Sequence, residues 1–127
     1  MMDAVRAARE RHRKAVERLY EGKATVTEHQ KVIDPETKLT NFHDVIVLRG
    51  QPCRLSFEKI QAAGHGEPAV GTAQLIRLFL PPDVVIRPGS KITVEQNGTI
   101  ADYTYSGKPA VLTTHQEIIL ELFERWA

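Results

Sequence analysis

The sequence predicts a mainly β domain, a small barrel or sandwich of antiparallel strands with one N-terminal α-helix. Segments that alternate apolar and polar residues recur about every ten residues, and turns rich in glycine, proline or asparagine separate them. The spacing of three and four that is typical of a helix is clear only before Gly22. Because 127 residues suffice for one core, we expect a single domain over residues 1–127, with a helix in 1–22 and the barrel in 23–127.

The N-terminal helix is predicted over residues 3–21. Apolar residues recur there at helical spacing, Asp3 can cap its start, and Gly22 can end it. Basic residues outnumber acidic ones, but pairs such as Glu10 and Lys14 favour a solvated or protein-facing surface over a nucleic-acid site. The residues that we take as candidates for docking a partner protein are Arg6, Arg9, Arg13 and Arg18.

The first half of the barrel is predicted to begin with a hairpin. Its strands are residues 24–33 and 42–48, joined by a turn at Asp34 to Lys38. The residues Arg49-Gly50-Gln51-Pro52 are expected to break the second strand, so that residues 53–57 form a third. Residues 58–71 are small and polar, which predicts a long flexible loop.

The second half is predicted to continue as a meander. Residues 73–80 should form a central strand that Pro81-Pro82 ends, and residues 84–86 and 91–94 should form two strands around the turn at Arg87 to Ser90. Asn97-Gly98 is a strong signal for a two-residue hairpin. Residues 99–105 alternate as a strand does, whereas residues 113–126 fit a helix or a strand, of which we favour the strand.

Reactive chemistry is not evident in the sequence. Cys53 is the single cysteine, which excludes an internal disulfide and a thiolate cluster and favours simple packing. The five histidines lack the spacing of a metal motif, the carboxylates are scattered, and the glycine-rich residues 64–71 lack the pattern of a phosphate-binding loop. We therefore expect no catalytic residues, no metal and no cofactor, and a protein that is not an enzyme.

Charge and hydropathy point to a soluble intracellular chain. The formal net charge of +1 excludes a strong overall attraction to nucleic acid. No apolar run approaches the length that a membrane span needs, and the N-terminus lacks the apolar stretch of a secretory signal. We expect the chain to remain in the cytoplasm.

An ordered set of short motifs in the second half carries a family resemblance. It consists of Leu80-Pro81-Pro82-Asp83, residues 86–92, Asn97-Gly98, residues 105–110 and His115-Gln116-Glu117-Ile118. In order and spacing this set resembles the head-closure, or stopper, proteins of long-tailed phages and PBSX-type prophages. The likeness extends back through residues 70–79 and loosely to the helix, so it covers most of the chain.

The resemblance implies a structural protein of the phage neck. Such a subunit self-associates into a ring, with twelve as the expected copy number, between the portal and adaptor proteins and a tail-completion or tail-tube protein. It acts in the bacterial host cytoplasm during assembly and then in the virion neck, touches double-stranded DNA transiently and has no membrane partner. A loop that projects into the channel retains the packaged genome. Its best match here is residues 58–71, with candidate residues Gln61, Gly64, His65, Gly66, Glu67 and Gly71, and the turn at residues 34–38 is second.

A nucleic-acid-binding module of the small β-barrel type is the alternative function. It would use the basic residues from Arg6 to Arg18, together with Lys91, as phosphate contacts. The few aromatic residues are not interleaved with basic ones along a strand, which weakens a platform for stacking bases.

Overall fold

The computed structural model describes residues 2–61 and 72–127, without the side chains of Met2, Gln61 and Thr72. Over these residues the elements are α1 Met2–Glu17, β1 Gly22–Ile33, β2 Thr40–Gln61, β3 Thr72–Leu80, β4 Lys91–Gln96, β5 Thr99–Thr104, β6 Ala110–Val111 and β7 Gln116–Leu122. Within the described part of the chain, α1 does not have the length and apolar character of a helix that crosses a membrane.

The strands form one antiparallel sheet that curls toward closure. Its order is β3-β2-β1-β4-β5-β7-β6, and β7 also pairs with β3 at the far end of the sheet. Strand β2 makes this possible because it pairs with β1 through residues 40–53 and with β3 through residues 54–61. The predicted fold class, a small antiparallel barrel or sandwich with one N-terminal helix, is confirmed.

The core lies inside this curved sheet. Register places Leu55, Leu78 and Ile118 side by side on β2, β3 and β7, and all three are buried. Ile92 and Val94 of β4 face the same interior. Because successive strand residues point to opposite faces, the apolar alternation in the sequence becomes an apolar interior and a mixed exterior.

Several local predictions are confirmed. Strand β3 has partners on both sides, as a central strand does, and β7 is a strand rather than a helix. Asn97 and Gly98 both adopt positive φ and join β4 to β5 in register. At the turn after Arg87, Gly89 has a φ of 85° and the Ser90 N–H donates to the Arg87 carbonyl, as in a type II turn.

The predicted end of the helix was wrong. The helix stops at Glu17, and backbone hydrogen bonds from Leu19 to Val16 and from Tyr20 to Glu17 turn the chain toward the barrel. Gly22 opens β1 instead of ending the helix. A Cβ atom on Gly22 would lie 2.8 Å from Gln96 Oε1 and 3.1 Å from the Cys53 carbonyl, so the glycine serves close packing between strands.

The predicted break at residues 49–52 was also wrong, because β2 runs through it without interruption. Register shifts between Ala24 and Val26, and between Val26 and Thr27, show that the extra residues of β2 are absorbed as bulges. Gly50 lies in this stretch with a φ of 59°. The predicted loop was wrong for residues 58–61, which continue β2 and pair with β3, and its remaining residues, 62–71, lie outside the described part of the chain.

Residues 84–86 do not form the predicted strand. Side chains, rather than a neighbouring strand, satisfy their carbonyls: Tyr105 donates its hydroxyl proton to the Ile86 carbonyl, and Gln116 donates to the Val84 carbonyl. Gln116 also donates to the Pro81 carbonyl at 2.8 Å. The segment is therefore held by two buried polar side chains that the apolar pattern of Val84-Val85-Ile86 does not reveal.

Candidate interaction surfaces

Helix α1 stands largely clear of the barrel. Residues 3–12 are all exposed, and only near its end do Arg13, Val16 and Glu17 become partly covered. The Arg13 guanidinium lies 2.9 Å from Glu17 Oε1 and 2.7 Å from Asp83 Oδ1, which ties the end of α1 to the segment after β3. The hydrogen bond to Glu17 raises the pKa of Arg13 further.

The four arginines predicted to dock a partner do not form one set. Arg6, Arg9 and Arg13 follow each other at spacings of three and four along α1, which brings them to one side of the helix. Arg13 is already in two ion pairs, whereas Arg6 and Arg9 have no ion-pair partner among residues 2–61 and 72–127. Arg18 is exposed in the turn beyond the end of α1.

A two-stranded hairpin extends from the barrel on the β1 side. Within the described residues, positions 28–33 of β1 and 40–45 of β2 pair only with each other. The Asp34 carboxylate accepts the Glu36 N–H at 2.8 Å in the connecting turn, and this hydrogen bond lowers the pKa of Asp34.

An aromatic stack holds the base of this hairpin. The His29 ring lies between Phe42 and Trp126, with ring centroids 4.7 Å and 4.8 Å away and nearly parallel planes. His29 Nδ1 is 2.8 Å from Asp44 Oδ1. Because an isolated hairpin is marginal in water, we infer that contact with the C-terminal segment stabilises it.

An open groove of about 790 Å³ lies beside the stack. Its lining includes Glu28, Lys31, Arg87 and Ser90 as well as the rings of Phe42 and Trp126. The Arg87 guanidinium is 3.8 Å from Glu28 Oε1, so opposite charges face each other there. The groove does not present the single-sign charge that would select an anion or a cation.

Trp126→Ala should loosen the hairpin without unfolding the barrel. Loss of the stacked ring removes one of the two faces that hold His29, and we expect amide exchange in residues 28–45 to accelerate about tenfold. Hydrogen–deuterium exchange by mass spectrometry measures it, and peptides of β3 provide the internal control. Unchanged exchange in residues 28–45 would show that the stack does not stabilise the hairpin.

A second two-stranded ribbon is formed by the parts of β2 and β3 that extend beyond β7. Strand β7 pairs with β3 from Ile76 to Leu80, so residues 58–61 and 72–75 pair only with each other among the described residues. Gln61, the first candidate residue of the predicted channel loop, ends β2 at the tip of this ribbon. The other candidates, Gly64, His65, Gly66, Glu67 and Gly71, lie outside the described residues.

On the outer face of the sheet, acidic and apolar side chains alternate along β7. Glu117, Ile119 and Glu121 point outward, because Gln116, Ile118 and Leu120 point into the core. Register places Phe79 beside Glu117 and Arg77 beside Ile119. Glu117 is 3.3 Å from His115 Nε2, and Glu121 accepts a hydrogen bond from the Ser106 hydroxyl. We call Glu117, Ile119 and Glu121 the β7 row.

Potentially reactive groups do not converge in the described part of the chain. No cluster of three or more histidine, cysteine, aspartate or glutamate side chains suited to a metal occurs there. Cys53 is fully buried among core residues, and burial raises the pKa of its thiol to about 12. Burial likewise raises the pKa of Tyr20 to about 12. Both groups therefore stay protonated well above neutral pH, whereas a thiolate nucleophile would need the opposite shift.

The buried thiol makes stability fall at alkaline pH. An unfolded thiol loses its proton near the ordinary 9.0, while the folded one keeps it to about 12, so this contribution is complete below pH 9 and is lost as the pH rises through that window. Between pH 9 and 10 the wild-type protein should lose about 1 kcal/mol more unfolding free energy than Cys53→Ala. Urea unfolding at both pH values measures this, and equal losses in the two proteins would contradict it.

Comparisons with known proteins give one structural likeness. No model of a known protein family matches the chain, and no curated protein matches its sequence. Among solved structures, the phage-like element PBSX protein xkdH from Bacillus subtilis is similar, at 18% identity and a TM-score of 0.46, over 81% of this chain and 92% of that chain. Values this low do not transfer a function from one protein to the other.

The aromatic stack and the β7 row were not predicted from the sequence. The β7 row was within reach, because once residues 116–122 are taken as a strand, alternation puts Glu117, Ile119 and Glu121 on the face opposite Ile118. The stack was not, since His29 and Trp126 are far apart in the chain and share no spacing rule.

Proposed function

We propose that this chain is a head-closure, or stopper, protein of a phage neck, and that it acts by binding other proteins rather than by catalysis. The observation that carries the proposal is the contrast between a barrel with a buried apolar core and outer surfaces of the described residues that nothing covers in the single chain. Helix α1 leaves Val5 52% exposed, and Phe57 of β2, next to the second ribbon, is 50% exposed. A partner that covered these side chains would remove apolar surface from water, which favours association.

The order of motifs between Leu80 and Ile118 is the second support, since it resembles the stopper family. Several of these motifs form hydrogen bonds or turns that the barrel needs. Pro81 and Gln116 share a hydrogen bond, and Gly89 and Asn97 adopt the positive φ that their turns require. A subunit of this kind self-associates into a ring, expected to contain twelve copies, between portal or adaptor proteins and a tail-completion or tail-tube protein.

The second ribbon fits the part of the role that concerns the packaged DNA. A stopper needs an element that reaches from the barrel wall toward the DNA channel, and the ribbon of residues 58–61 and 72–75 extends beyond β7. Residues 58–61 of the predicted channel loop form part of this ribbon, and we propose that the segment between its two strands reaches the channel, with transient contact to double-stranded DNA. The cytoplasm of the bacterial host and then the virion neck are the proposed locations.

The nucleic-acid-binding alternative gains less support from the arrangement of its residues. Arg13 is paired with Glu17 and Asp83, and Lys91 Nζ lies 5.4 Å from the centre of the Phe123 ring. Trp126 and Phe42, which would stack bases, stack on His29 instead. Two of the candidate phosphate contacts and two of the aromatic rings thus already have partners within the chain.

Assembly on a portal–adaptor complex tests the proposal. The purified protein is mixed with portal–adaptor complexes and imaged by electron microscopy. An added ring beneath the adaptor is the expected result, and absence of binding across salt and protein concentrations would overturn the proposal. Salt-dependent binding of single-stranded oligonucleotides, without ring formation, would support the nucleic-acid-binding alternative instead.

A further inference from the structure

Helix α1 has a largely apolar side that nothing covers, and it lies between two arginines that have no acidic residue at helical spacing. At 100° per residue, Val5, Ala8 and His12 share one side of the helix, with Arg9 along one border and Arg11 along the other. All five residues are exposed. A helix of this length is marginal in water without burial of its apolar side, so a partner surface is expected to cover it.

Arg9 and Arg11 differ from Arg6 and Lys14, the basic residues just outside these borders, in having no acidic residue at helical spacing. Arg6 has Asp3 and Glu10 at helical spacing, and Lys14 has Glu10 and Glu17. Arg9 and Arg11 have no acidic residue three or four positions away in either direction. Their charges are therefore balanced only by solvent ions until an acidic surface meets them.

The β7 row has the complementary character. Ile119 is 47% exposed, and Glu117 and Glu121 flank it along the strand. The two flanking carboxylates are about 14 Å apart along the strand, because each strand residue advances by about 3.4 Å. A helix with its side chains is about 10–12 Å wide, so one laid across β7 places an arginine border near each carboxylate. The cation beside Ile119, Arg77, is already 3.0 Å from the Glu58 carboxylate.

We infer that α1 of one copy of this chain docks across the β7 row of a second copy, with Val5, Ala8 and His12 over Ile119 and with Arg9 and Arg11 at Glu117 and Glu121. The two surfaces differ, so the contact is head-to-tail, and repetition of such a contact closes into a ring when the rotation allows it. This inference deepens the proposed function, on which it rests for the ring, by naming the surfaces that join neighbouring subunits.

Charge reversal of the two surfaces tests the contact. One variant carries Arg9→Glu and Arg11→Glu, and the other carries Glu117→Arg and Glu121→Arg. Sedimentation velocity should show that the wild-type protein self-associates, that each variant alone associates at least about 100-fold more weakly, and that an equimolar mixture of the two recovers association. Recovery occurs because each reversed surface then faces a complementary one.

The matched control is Arg6→Glu with Lys14→Glu, which changes the net charge of α1 equally but at positions just outside the two arginine borders of the contact. It should associate like the wild-type protein, and far-UV circular dichroism checks that every variant is folded. A monomeric wild-type protein, an unaffected pair of variants or a mixture that stays monomeric would each overturn the inference.

The portal–adaptor assay separates this inference from the proposed function. Rings that form on the adaptor with Arg9→Glu and Arg11→Glu in place would retain the function and exclude this contact. Recovery of association in the mixture, together with no binding to the adaptor, would retain the contact and exclude the function.

Discussion

Gln96→Ala is expected to lower the free energy of unfolding by about 3 kcal/mol, because it leaves two buried backbone groups without partners. The Gln96 side chain accepts the Leu55 N–H at 2.8 Å and donates to the Leu55 carbonyl at 3.1 Å. Strand β2 pairs with β1 up to Cys53 and with β3 from Arg54 onward. At this change of partner the Gln96 amide, rather than the backbone of β1, forms hydrogen bonds with the backbone of Leu55. Urea unfolding followed by circular dichroism measures the loss.

A double-mutant cycle with Gly22 checks this account. Gly22→Ala alone should destabilise the protein, since its new methyl group would lie 2.8 Å from Gln96 Oε1. In the Gln96→Ala background that contact is gone, so Gly22→Ala should cost less, leaving only its close approach to the Cys53 carbonyl. Strictly additive effects would show that the two positions are not coupled and that Gln96 does not bridge the bend in the way described.

Leu78→Ala should be at least as damaging, with a loss of about 3 kcal/mol in unfolding free energy. Leu78 is fully buried on the central strand β3, between Leu55 and Ile118 on its two neighbours. Three strands meet there, so the surrounding backbone has little freedom to collapse into the cavity. A thermal or urea unfolding curve gives the value.

Ile100→Ala is the matched control for Leu78→Ala, since Ile100 is an aliphatic residue of β5 that is 64% exposed. Its truncation should change the unfolding free energy by less than about 0.5 kcal/mol. A comparable loss in both variants would mean that the stability of the barrel does not reside in the layer that contains Leu78.

Short-range patterns predicted much of the barrel. Alternation in Ile92-Thr93-Val94 and the dipeptide Asn97-Gly98 were enough for β4, its turn and the return strand, because both signals act over a few residues. The same alternation also points Gln96 inward, in phase with Ile92 and Val94. Its actual partner, the backbone of Leu55, comes from a distant strand and no local rule names it.

The wrong predictions at the helix end and within β2 both concern a glycine whose local preferences fit two different structures. Gly22 suits the end of a helix, yet its lack of a side chain is used for close packing against Gln96 and Cys53. Gly50 suits a break between strands, yet the structure absorbs it in an irregular stretch of one long strand. In both cases local preference allowed two outcomes, and contacts between strands selected one.

The amino-acid sequence by itself determined the fold class, the β4–β5 hairpin and the presence of one amphipathic helix, because hydrophobic period and turn residues act locally along the chain. The predicted continuation of the meander from β3 to β4 was wrong, since β4 pairs with β1 and β3 pairs with β7. Tertiary structure alone decided that α1 is left uncovered and that His29 lies between Phe42 and Trp126. These features depend on which distant segments meet when the sheet curls toward closure, and it is this global register that turns a set of ordinary strands into specific surfaces for binding.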